Sequence, residues 1–318
     1  MKIKVGVLMG GISPEREVSL MSSRQIIENL DPEKYEIIPI EINSPGFKEW
    51  VKRLIEASPD IVLSGLHGGI GENGAVQGLL ECLEIPYAGS GVMGSAISMD
   101  KAMSKLILRA AHIPVADGVF VRRFENLSEY EERVLRLGFP LVVKPNKGGS
   151  SVGVSIVKNM EELRQAADGI RLSDDDILIE KYLDGQEVTC GVLETEHGLE
   201  VLAVLDIGAA NDFYDYDAKY FNEMTSVAFS RLPHFLRMMI EQIAKKVFTV
   251  LECGGYGRVD MIVKEEQVYV LEMNTLPGLT AHSLIPKAAQ GIGMDFGAFL
   301  DHLIDYALKN GHADLRTG

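Results

Sequence analysis

Cysteine is scarce in this sequence, and its scarcity excludes two kinds of site. The 318 residues include three cysteines, Cys82, Cys190 and Cys253, which lie far apart and lack the spacing of metal ligands. We therefore expect neither a disulfide framework nor a zinc site. Isolated cysteines of this kind usually pack as small apolar side chains, so we interpret all three thiols as buried and inert.

Basic residues are also in short supply. Lysine and arginine number 31 against 46 aspartates and glutamates, which gives a formal net charge of −15. Such a chain repels nucleic acid and anionic membranes, so we expect neither as a partner, and any phosphate ligand needs a local cluster of cations. No apolar run approaches transmembrane length, and the first segment resembles a strand rather than a secretory leader. We therefore expect a cytoplasmic protein.

The composition is that of a soluble globular protein, with 46% hydrophobic and 24% charged residues. A chain of this length is expected to form two or three domains. Residues 1–99 alternate strand and helix patterns, which predicts a parallel α/β domain. The strands are predicted at 2–8, 35–42, 60–66 and 85–88. The first helix is predicted at 18–30, with Ser13 as a candidate N-cap.

Beyond residue 100 the predicted strands lie closer together and helices are fewer. This pattern is typical of α+β structure with antiparallel pairing. The polar aromatic segment 211–220 is a candidate lid. The last eight residues are expected to fray.

A lysine precedes a glycine and serine loop in the segment LVVKPNKGGSSVG. Lys144 ends an apolar strand there, and the loop that follows can offer backbone N–H groups to phosphate oxygens. The order differs from a Walker motif because the lysine comes before the glycines. The alternative is an ordinary hairpin loop with a solvated lysine.

A second cluster of polar residues follows two strand patterns near the C-terminus. Glu272 and Asn274 stand two apart on a strand, so they share a face, and their oxygens suit Mg²⁺. If the strands 258–264 and 268–274 form a hairpin with an odd-length loop such as 265–267, Asp260 lies opposite Glu272 on that face. A four-residue loop without a bulge puts Asp260 on the other face. The alternative is a set of exposed polar residues.

Three further segments carry weaker signals. The strand ending at Glu180 and Lys181, before Glu187, can meet an adenine edge and a ribose, but taken alone the segment favours a surface salt bridge. In the first domain Glu15 follows a glycine turn and can cap a helix or meet an ammonium group. His67 begins a glycine-rich loop and alone is typical of a structural histidine.

Taken in order, eight segments closely resemble the D-alanine-D-alanine ligase family of the ATP-grasp superfamily. They are GGISPEREVSL, LHGGIGENG, GSGVMGSAISMDK, VKPNKGGSSVGVS, ILIEKYLDGQE, FYDYDAKY, GRVD and LEMNTLPGLTAHS. The resemblance implies an N-terminal parallel α/β (pre-ATP-grasp) domain, 1–99, then an ATP-grasp fold of two α+β subdomains that clasp ATP. These are a central domain, 100–184, and a C-terminal domain, 185–318. Asn73 departs from the family pattern, which usually has aspartate there, but asparagine suits the same turn.

The resemblance also implies roles for individual residues. Those for the nucleotide are Lys101, Lys144, Glu180, Lys181, Leu183, Glu187 and Lys219. Those for two Mg²⁺ ions, which Mn²⁺ can replace, are Asp260, Glu272 and Asn274. Those for the first D-alanine are Glu15 and His67. Those for the second D-alanine and the developing oxyanion are Arg258, Ser283 and the backbone of Gly278. Those around the reacting centre, besides Lys219, are Ser150 and Tyr220.

The implied activity is an ATP-dependent ligation of two D-alanines through an acyl phosphate, for peptidoglycan precursors, by a homodimer. Relatives that make D-alanyl-D-lactate or D-alanyl-D-serine are the first alternative. A non-catalytic nucleotide-binding regulator is a second, and a phosphotransferase that stops at the acyl phosphate is a third.

Overall fold

A parallel sheet forms the N-terminal part of the chain. The computed structural model describes residues 2–43, 47–149, 152–208, 226–280 and 283–310. The strand order in the first sheet is β2-β1-β3, and both pairings are parallel. Its elements in chain order are β1 (Ile3–Gly10), α1 (Arg16–Asn29), β2 (Tyr35–Ile42), α2 (Phe47–Ala57), β3 (Ile61–Ser64), α3 (Ala75–Cys82) and α4 (Val92–Met99).

Two local predictions in this part are wrong. Ser13 is not the N-cap of α1, because the helix begins at Arg16 with Glu15 in the capping position. The Ser13 hydroxyl instead accepts a hydrogen bond from the Glu15 N–H (3.2 Å) and donates one to the His67 carbonyl (2.6 Å). Residues 85–88 do not form a strand; they make an isolated bridge between Tyr87 and Val62.

The second sheet has four antiparallel strands in the order β4-β7-β5-β6. Alternate residues of its strands enter the core beneath helices, among them Val143 and Ile179. The intervening residues, which include Lys144 and Glu180, therefore lie on the opposite face. Its elements are α5 (Lys101–Ala110), β4 (Gly118–Val121), α6 (Glu131–Leu137), β5 (Leu141–Pro145), β6 (Ser155–Val157), α7 (Met160–Leu172) and β7 (Ile177–Lys181).

The third sheet is also antiparallel, with the order β11-β10-β8-β12-β13 and β9 paired to β8. The parallel first sheet followed by antiparallel sheets confirms the predicted fold class. The remaining elements are β8 (Gln186–Thr195), β9 (Gly198–Val201), β10 (Leu205–Gly208), β11 (Ser226–Phe229), α8 (His234–Val250), β12 (Tyr256–Lys264), β13 (Gln267–Asn274), α9 (Leu284–Gln290) and α10 (Phe296–Asn310).

The hydrophobic cores join parts of the chain that are distant in sequence. Phe299 of α10 packs in the same core as Val5 of β1, and Tyr35 donates a hydrogen bond to Asp301 of α10 (2.8 Å). Leu108 of α5 lies in the core shared with α8 and the third sheet. These contacts tie the sheets together, and the domain boundaries at 99 and 184 stay a prediction.

The thiols differ in exposure. Cys190 is buried and Cys253 is partly buried, but Cys82 is exposed, so the prediction of three buried thiols is wrong for Cys82. It lies at the last position of α3, where the helix meets solvent. Across the described ranges, no helix has both the length and the apolar character needed to cross a membrane.

Phe299→Ala tests the core that α10 shares with the first sheet. Phe299 is fully buried and meets Tyr256 edge to face, with ring centroids 5.6 Å apart. Truncation leaves a cavity, and we expect a loss of about 3–5 kcal/mol in the free energy of unfolding. Urea denaturation followed by circular dichroism measures it. Leu308→Ala on the exposed side of α10 should cost less than about 1 kcal/mol, and equal losses in the two variants would contradict the shared core.

Candidate active site

Two cavities meet where the three sheets face each other. Cavity A has a volume of about 70 Å³ and cavity B about 170 Å³. Both are lined by Lys101, Gly148, Gly149 and Glu272. Cavity A is also lined by Glu15, His67, Glu72, Arg258, Asn274, Gly278 and Ser283. Cavity B is also lined by Lys144, Glu180, Lys181, Leu183, Glu187 and Asp260.

Glu180 of β7 holds two lysines in the wall of cavity B. Its Oε1 lies 2.6 Å from the Lys105 ammonium and its Oε2 lies 2.6 Å from the Lys144 ammonium. Glu180 is 3% exposed, which rules out a surface salt bridge, and Lys144 is 8% exposed, which rules out a solvated hairpin lysine. Buried charges persist only when paired, so the three side chains form one unit of net charge +1.

The environment shifts the three pKa values in different directions. Burial, together with the positive charge of Lys144, lowers the pKa of Lys105 to about 8 against the opposing pull of Glu180. Burial acts against protonation of Lys144 too, but the charges of Glu180 and Glu272 outweigh it and raise the pKa of Lys144. Burial favours the neutral acid at Glu180, yet the two lysines prevail and lower its pKa. Glu180 therefore stays ionised, and Lys105 is the group that can lose its charge near neutral pH.

Lys101 stands where the two cavities join. It is the first residue of α5, and its Nζ donates to the Gly148 carbonyl (2.5 Å) and lies 3.5 Å from Glu272 Oε2. The Asn146 side chain accepts from the Ala102 N–H (2.8 Å). The start of α5 is thereby fixed against the loop that follows β5, and a cation is held beside a carboxylate at the junction.

The hairpin of β12 and β13 brings Asp260 opposite Glu272, but not by the loop length we expected. Lys264 pairs with Gln267, so the turn has two residues, Glu265 and Glu266. An even turn alone would leave Asp260 facing Leu271. A β-bulge between Asp260 and Met261 shifts the register by one residue and pairs Asp260 with Glu272. The predicted arrangement is therefore present, and the predicted odd loop is wrong.

Asp260 is held by four hydrogen bonds. Arg258 donates through Nε (2.9 Å) and Nη2 (2.8 Å), Thr189 through its hydroxyl (2.6 Å), and Asn274 through its amide nitrogen (2.9 Å). Arg258 pairs with Asn274 across the hairpin, on the face that carries Asp260 and Glu272. The hairpin therefore presents two carboxylates, an amide and a guanidinium in fixed positions to the cavity junction.

This hairpin has the oxygen ligands that Mg²⁺ prefers. Among the residues that the structure describes, no group of three or more His, Cys, Asp or Glu side chains is arranged for a metal. Mg²⁺ in nucleotide sites needs fewer protein ligands, usually one or two carboxylates with phosphate oxygens and water. Asp260, Glu272 and Asn274 fit that requirement where the two cavities join.

Glu15 forms part of the wall of cavity A. It is 8% exposed and makes no side-chain cap to α1, so the capping interpretation is wrong. A Cβ at Gly68 would collide with its Oε2, and a Cβ at Gly149 would lie 2.9 Å from the same atom. Two glycines, in loops that follow strands of different sheets, thus leave room for the Glu15 carboxylate. This carboxylate lies in the cavity wall, where it can accept a cation.

His67 is fixed by contacts on both sides of its ring. Its Nε2 lies 2.9 Å from the Ser22 hydroxyl and its Nδ1 lies 3.6 Å from Glu72 Oε1. The backbone N–H of His67 donates to the Ser19 hydroxyl (2.8 Å), and the Glu72 carboxylate accepts from the backbone N–H of Gly68 (2.9 Å). The residue is 5% exposed, so its ring is oriented by the protein and not by solvent.

The loop after β13 supplies the remaining wall of cavity A. The Ser283 hydroxyl accepts from the Thr280 N–H (3.0 Å) and contacts the Thr280 hydroxyl (2.8 Å). A Cβ at Gly278 would lie 2.9 Å from the same Ser283 hydroxyl, so only glycine lets this backbone approach. Arg258, at 9% exposure, faces the same cavity.

The structure places all the described site candidates around the two cavities. Ser150, Lys219, Tyr220 and the predicted lid 211–220 lie outside the described residues, as do the last eight residues. Four residues of the site were not predicted from the sequence: Lys105, Glu72, Ser22 and Thr189. Only two of them left a usable signal. Lys105 stands one helical turn after Lys101, and Glu72 lies in the loop of His67.

Comparison with known proteins places the chain in a family. Residues 4–56 match the family model for the D-ala D-ala ligase N-terminus and residues 107–305 that for its C-terminus. A D-alanine--D-alanine ligase of Bacillus anthracis is 42% identical over 309 residues, 96% of this chain and 98% of the relative. This similarity covers nearly the whole chain, which includes the residues that line the two cavities.

Two solved structures agree with this placement. The crystal structure of the Bacillus anthracis ligase complexed with ATP has a TM-score of 0.86 and 40% identity, covering 99% of both chains. The VanG D-Ala:D-Ser ligase of Enterococcus faecalis has a TM-score of 0.83 and 31% identity, covering 96% of this chain and 99% of its own. The chain therefore belongs to the D-ala D-ala ligase family.

Proposed function

We propose that this chain is an ATP-dependent ligase that joins two D-alanines into D-alanyl-D-alanine, with release of ADP and phosphate. The observation that carries the proposal is the junction of cavities A and B at Lys101 and Glu272. At this junction cavity B, which is lined by lysines, opens onto cavity A, which is lined by groups that suit an amino acid. A phosphoryl group bound in one is thereby within reach of a carboxylate bound in the other.

Cavity B is the proposed nucleotide site. Lys101 and Lys144 neutralise the phosphates, and Glu180 holds Lys144 in place through their ion pair. Adenine and ribose lie against the outer wall, formed by Glu180, Lys181, Leu183 and Glu187. Asp260, Glu272 and Asn274 would hold Mg²⁺, which would supply positive charge to offset the negative charge of the phosphates.

Cavity A is the proposed amino-acid site. Glu15, with His67, receives the ammonium group of the first D-alanine, whose carboxylate then points toward the cavity junction. Arg258 and Ser283 bind the carboxylate of the second D-alanine, and the Gly278 N–H stabilises the developing oxyanion. The proposal also assigns three residues to the surroundings of the reacting centre: Ser150, Lys219 and Tyr220.

The reaction needs two steps because a carboxylate is a poor electrophile. An oxygen of the first D-alanine carboxylate takes the γ-phosphoryl group from ATP, which gives an acyl phosphate and ADP. The free amine of the second D-alanine attacks the acyl carbon, a C–N bond forms, and phosphate leaves while the amine loses a proton. Water must be excluded, since it would hydrolyse the acyl phosphate.

D-Alanyl-D-serine synthesis is the second candidate function, because the VanG D-Ala:D-Ser ligase shares this fold at 31% identity. The higher identity of 42% to a D-alanine--D-alanine ligase favours D-alanine as the second substrate. The proposal includes a cytoplasmic homodimer that supplies peptidoglycan precursors.

The product tests the function directly. The protein receives ATP with D-alanine alone and then with D-alanine in competition with D-serine or D-lactate, and mass spectrometry identifies the products. We expect D-alanyl-D-alanine to dominate at pH 7.5. The acceptors of cavity A suit an amine that must lose a proton, which disfavours D-lactate, and the higher identity to a D-alanine--D-alanine ligase disfavours D-serine. If D-alanyl-D-serine or D-alanyl-D-lactate were the main product, the proposed second substrate would be wrong. ATP cleavage without a dipeptide would favour a phosphotransferase.

Glu272→Gln tests the metal site. The change keeps the size of the side chain and removes a charge at the cavity junction, so we expect turnover to fall about 100-fold or more while the circular dichroism spectrum stays the same. Titration calorimetry should also show weaker binding of Mg·ATP. Glu266→Gln, the same change in the exposed turn of the same hairpin, is the control. Undiminished turnover of Glu272→Gln at saturating Mg²⁺ would contradict the assignment.

Lys105→Met tests the charge at Glu180. Since the pKa of Lys105 is about 8, its loss of a proton takes the unit with Glu180 and Lys144 from a net charge of +1 to 0. We expect the KM for ATP of the unaltered enzyme to rise between pH 7 and 9. Methionine carries no charge at any pH, so the variant should show a KM about 10-fold higher already at pH 7 and no further rise.

The control for this experiment is Lys52→Met, which removes a lysine that is 74% exposed from another helix. Its KM for ATP should follow that of the unaltered enzyme at every pH. A pH-dependent rise that persists in Lys105→Met would assign the titration to another group.

A further inference from the structure

Ser22 joins the two loops that form cavity A without lining the cavity itself. It lies on α1 and is fully buried. Its hydroxyl lies 2.9 Å from His67 Nε2 and accepts a hydrogen bond from the Leu279 N–H at 3.3 Å. One hydroxyl therefore contacts the loop of His67, assigned to the first substrate, and the loop of Gly278 and Leu279, assigned to the second.

The direction of the Ser22 to His67 hydrogen bond follows from the partners. A neutral imidazole carries one N–H, and a carboxylate only accepts. The Nδ1 of His67 faces the Glu72 carboxylate, so the proton belongs on Nδ1. Nε2 is then the acceptor and Ser22 the donor. Ser22 thus uses its proton toward His67 and a lone pair toward Leu279, which fits the capacity of one hydroxyl.

We propose that Ser22 is a positioning residue that fixes the orientation of the His67 ring and, with the same hydroxyl, the place of the Gly278–Leu279 backbone. The proposal rests on the proposed function, because it assigns the two loops to the two D-alanines. Without the Ser22 hydroxyl, Nε2 and the Leu279 N–H both lose a buried partner, so the loops can shift relative to each other. Both amino-acid sites should then suffer together.

Ser23 provides a matched control on the same helix. It is also fully buried, but its hydroxyl bonds to the carbonyls of Leu8 (3.2 Å) and Ser19 (2.7 Å), away from His67. Ser22→Ala and Ser23→Ala therefore remove the same atom from the same helix at the same depth. A general loss of stability affects both variants, whereas a positioning role affects Ser22→Ala alone.

The kinetic experiment measures KM for each D-alanine, KM for ATP and kcat in full-length variants. For Ser22→Ala we expect both D-alanine KM values to rise about 10-fold and the KM for ATP to stay within about 2-fold, the pattern of a lost buried hydrogen bond in cavity A only. Ser22→Cys keeps a weak donor of similar size and should recover part of the loss. Ser22→Ala kinetics equal to those of Ser23→Ala would overturn the proposal.

The imidazole itself gives a readout independent of activity. The chain has 7 histidines, so spectra of ¹⁵N-histidine-labelled protein are simple, and His67→Gln identifies the His67 signals. We expect an unprotonated Nε2 in the unaltered protein and in both alanine variants, but in Ser22→Ala alone the Nε2 resonance should be displaced, because its lone pair has lost the hydrogen bond from Ser22. A protonated Nε2 in the unaltered protein would overturn the proposal. Failure of that protein to form D-alanyl-D-alanine would instead refute the proposed function and leave the tautomer test intact.

Discussion

A protein with a formal net charge of −15 must gather cations locally before it can hold a polyanion, and the site is built around that constraint. Lys101, Lys105 and Lys144 converge on it, and each is near a carboxylate. Burial alone would disfavour the charged forms of Lys105 and Lys144, because water is the better solvent for charge. The carboxylates Glu180 and Glu272 act in the opposite direction on both lysines and so favour positive charge beside the cavities.

The same need for charge at one place explains why the last hairpin is irregular. A regular hairpin with the two-residue turn at Glu265 and Glu266 would place Asp260 and Glu272 on opposite faces of the sheet. The bulge costs one unpaired residue, Leu271, and returns both carboxylates to the cavity side. Thr189 and Arg258 then hold Asp260 rigidly. The irregularity is therefore part of the site and not a defect of the sheet.

Local patterns predict most of the fold and only part of the site. The strand 35–42 matches β2 at both ends, because its alternation is long and bounded by turns. The short run 85–88 looked equally strand-like, but it finds a single bridging partner, and partners are a property of the fold. Lys105 was missed for a similar reason, since its task depends on Glu180 of a distant strand. The resemblance supplied the remaining site residues by position, which neither periodicity nor spacing could do.

Helix α1 shows how the inner face of a helix can serve a site once the fold is formed. Half of its buried positions are serine, namely Ser19, Ser22 and Ser23, and apolar residues at those places would stabilise the core more. A buried hydroxyl is tolerated only with partners, and each of the three has them. Two of those sets of partners lie in the glycine loops of cavity A. The buried serines on the inner face of α1 therefore stabilise the core less than apolar residues would, and in return they hold the wall of cavity A.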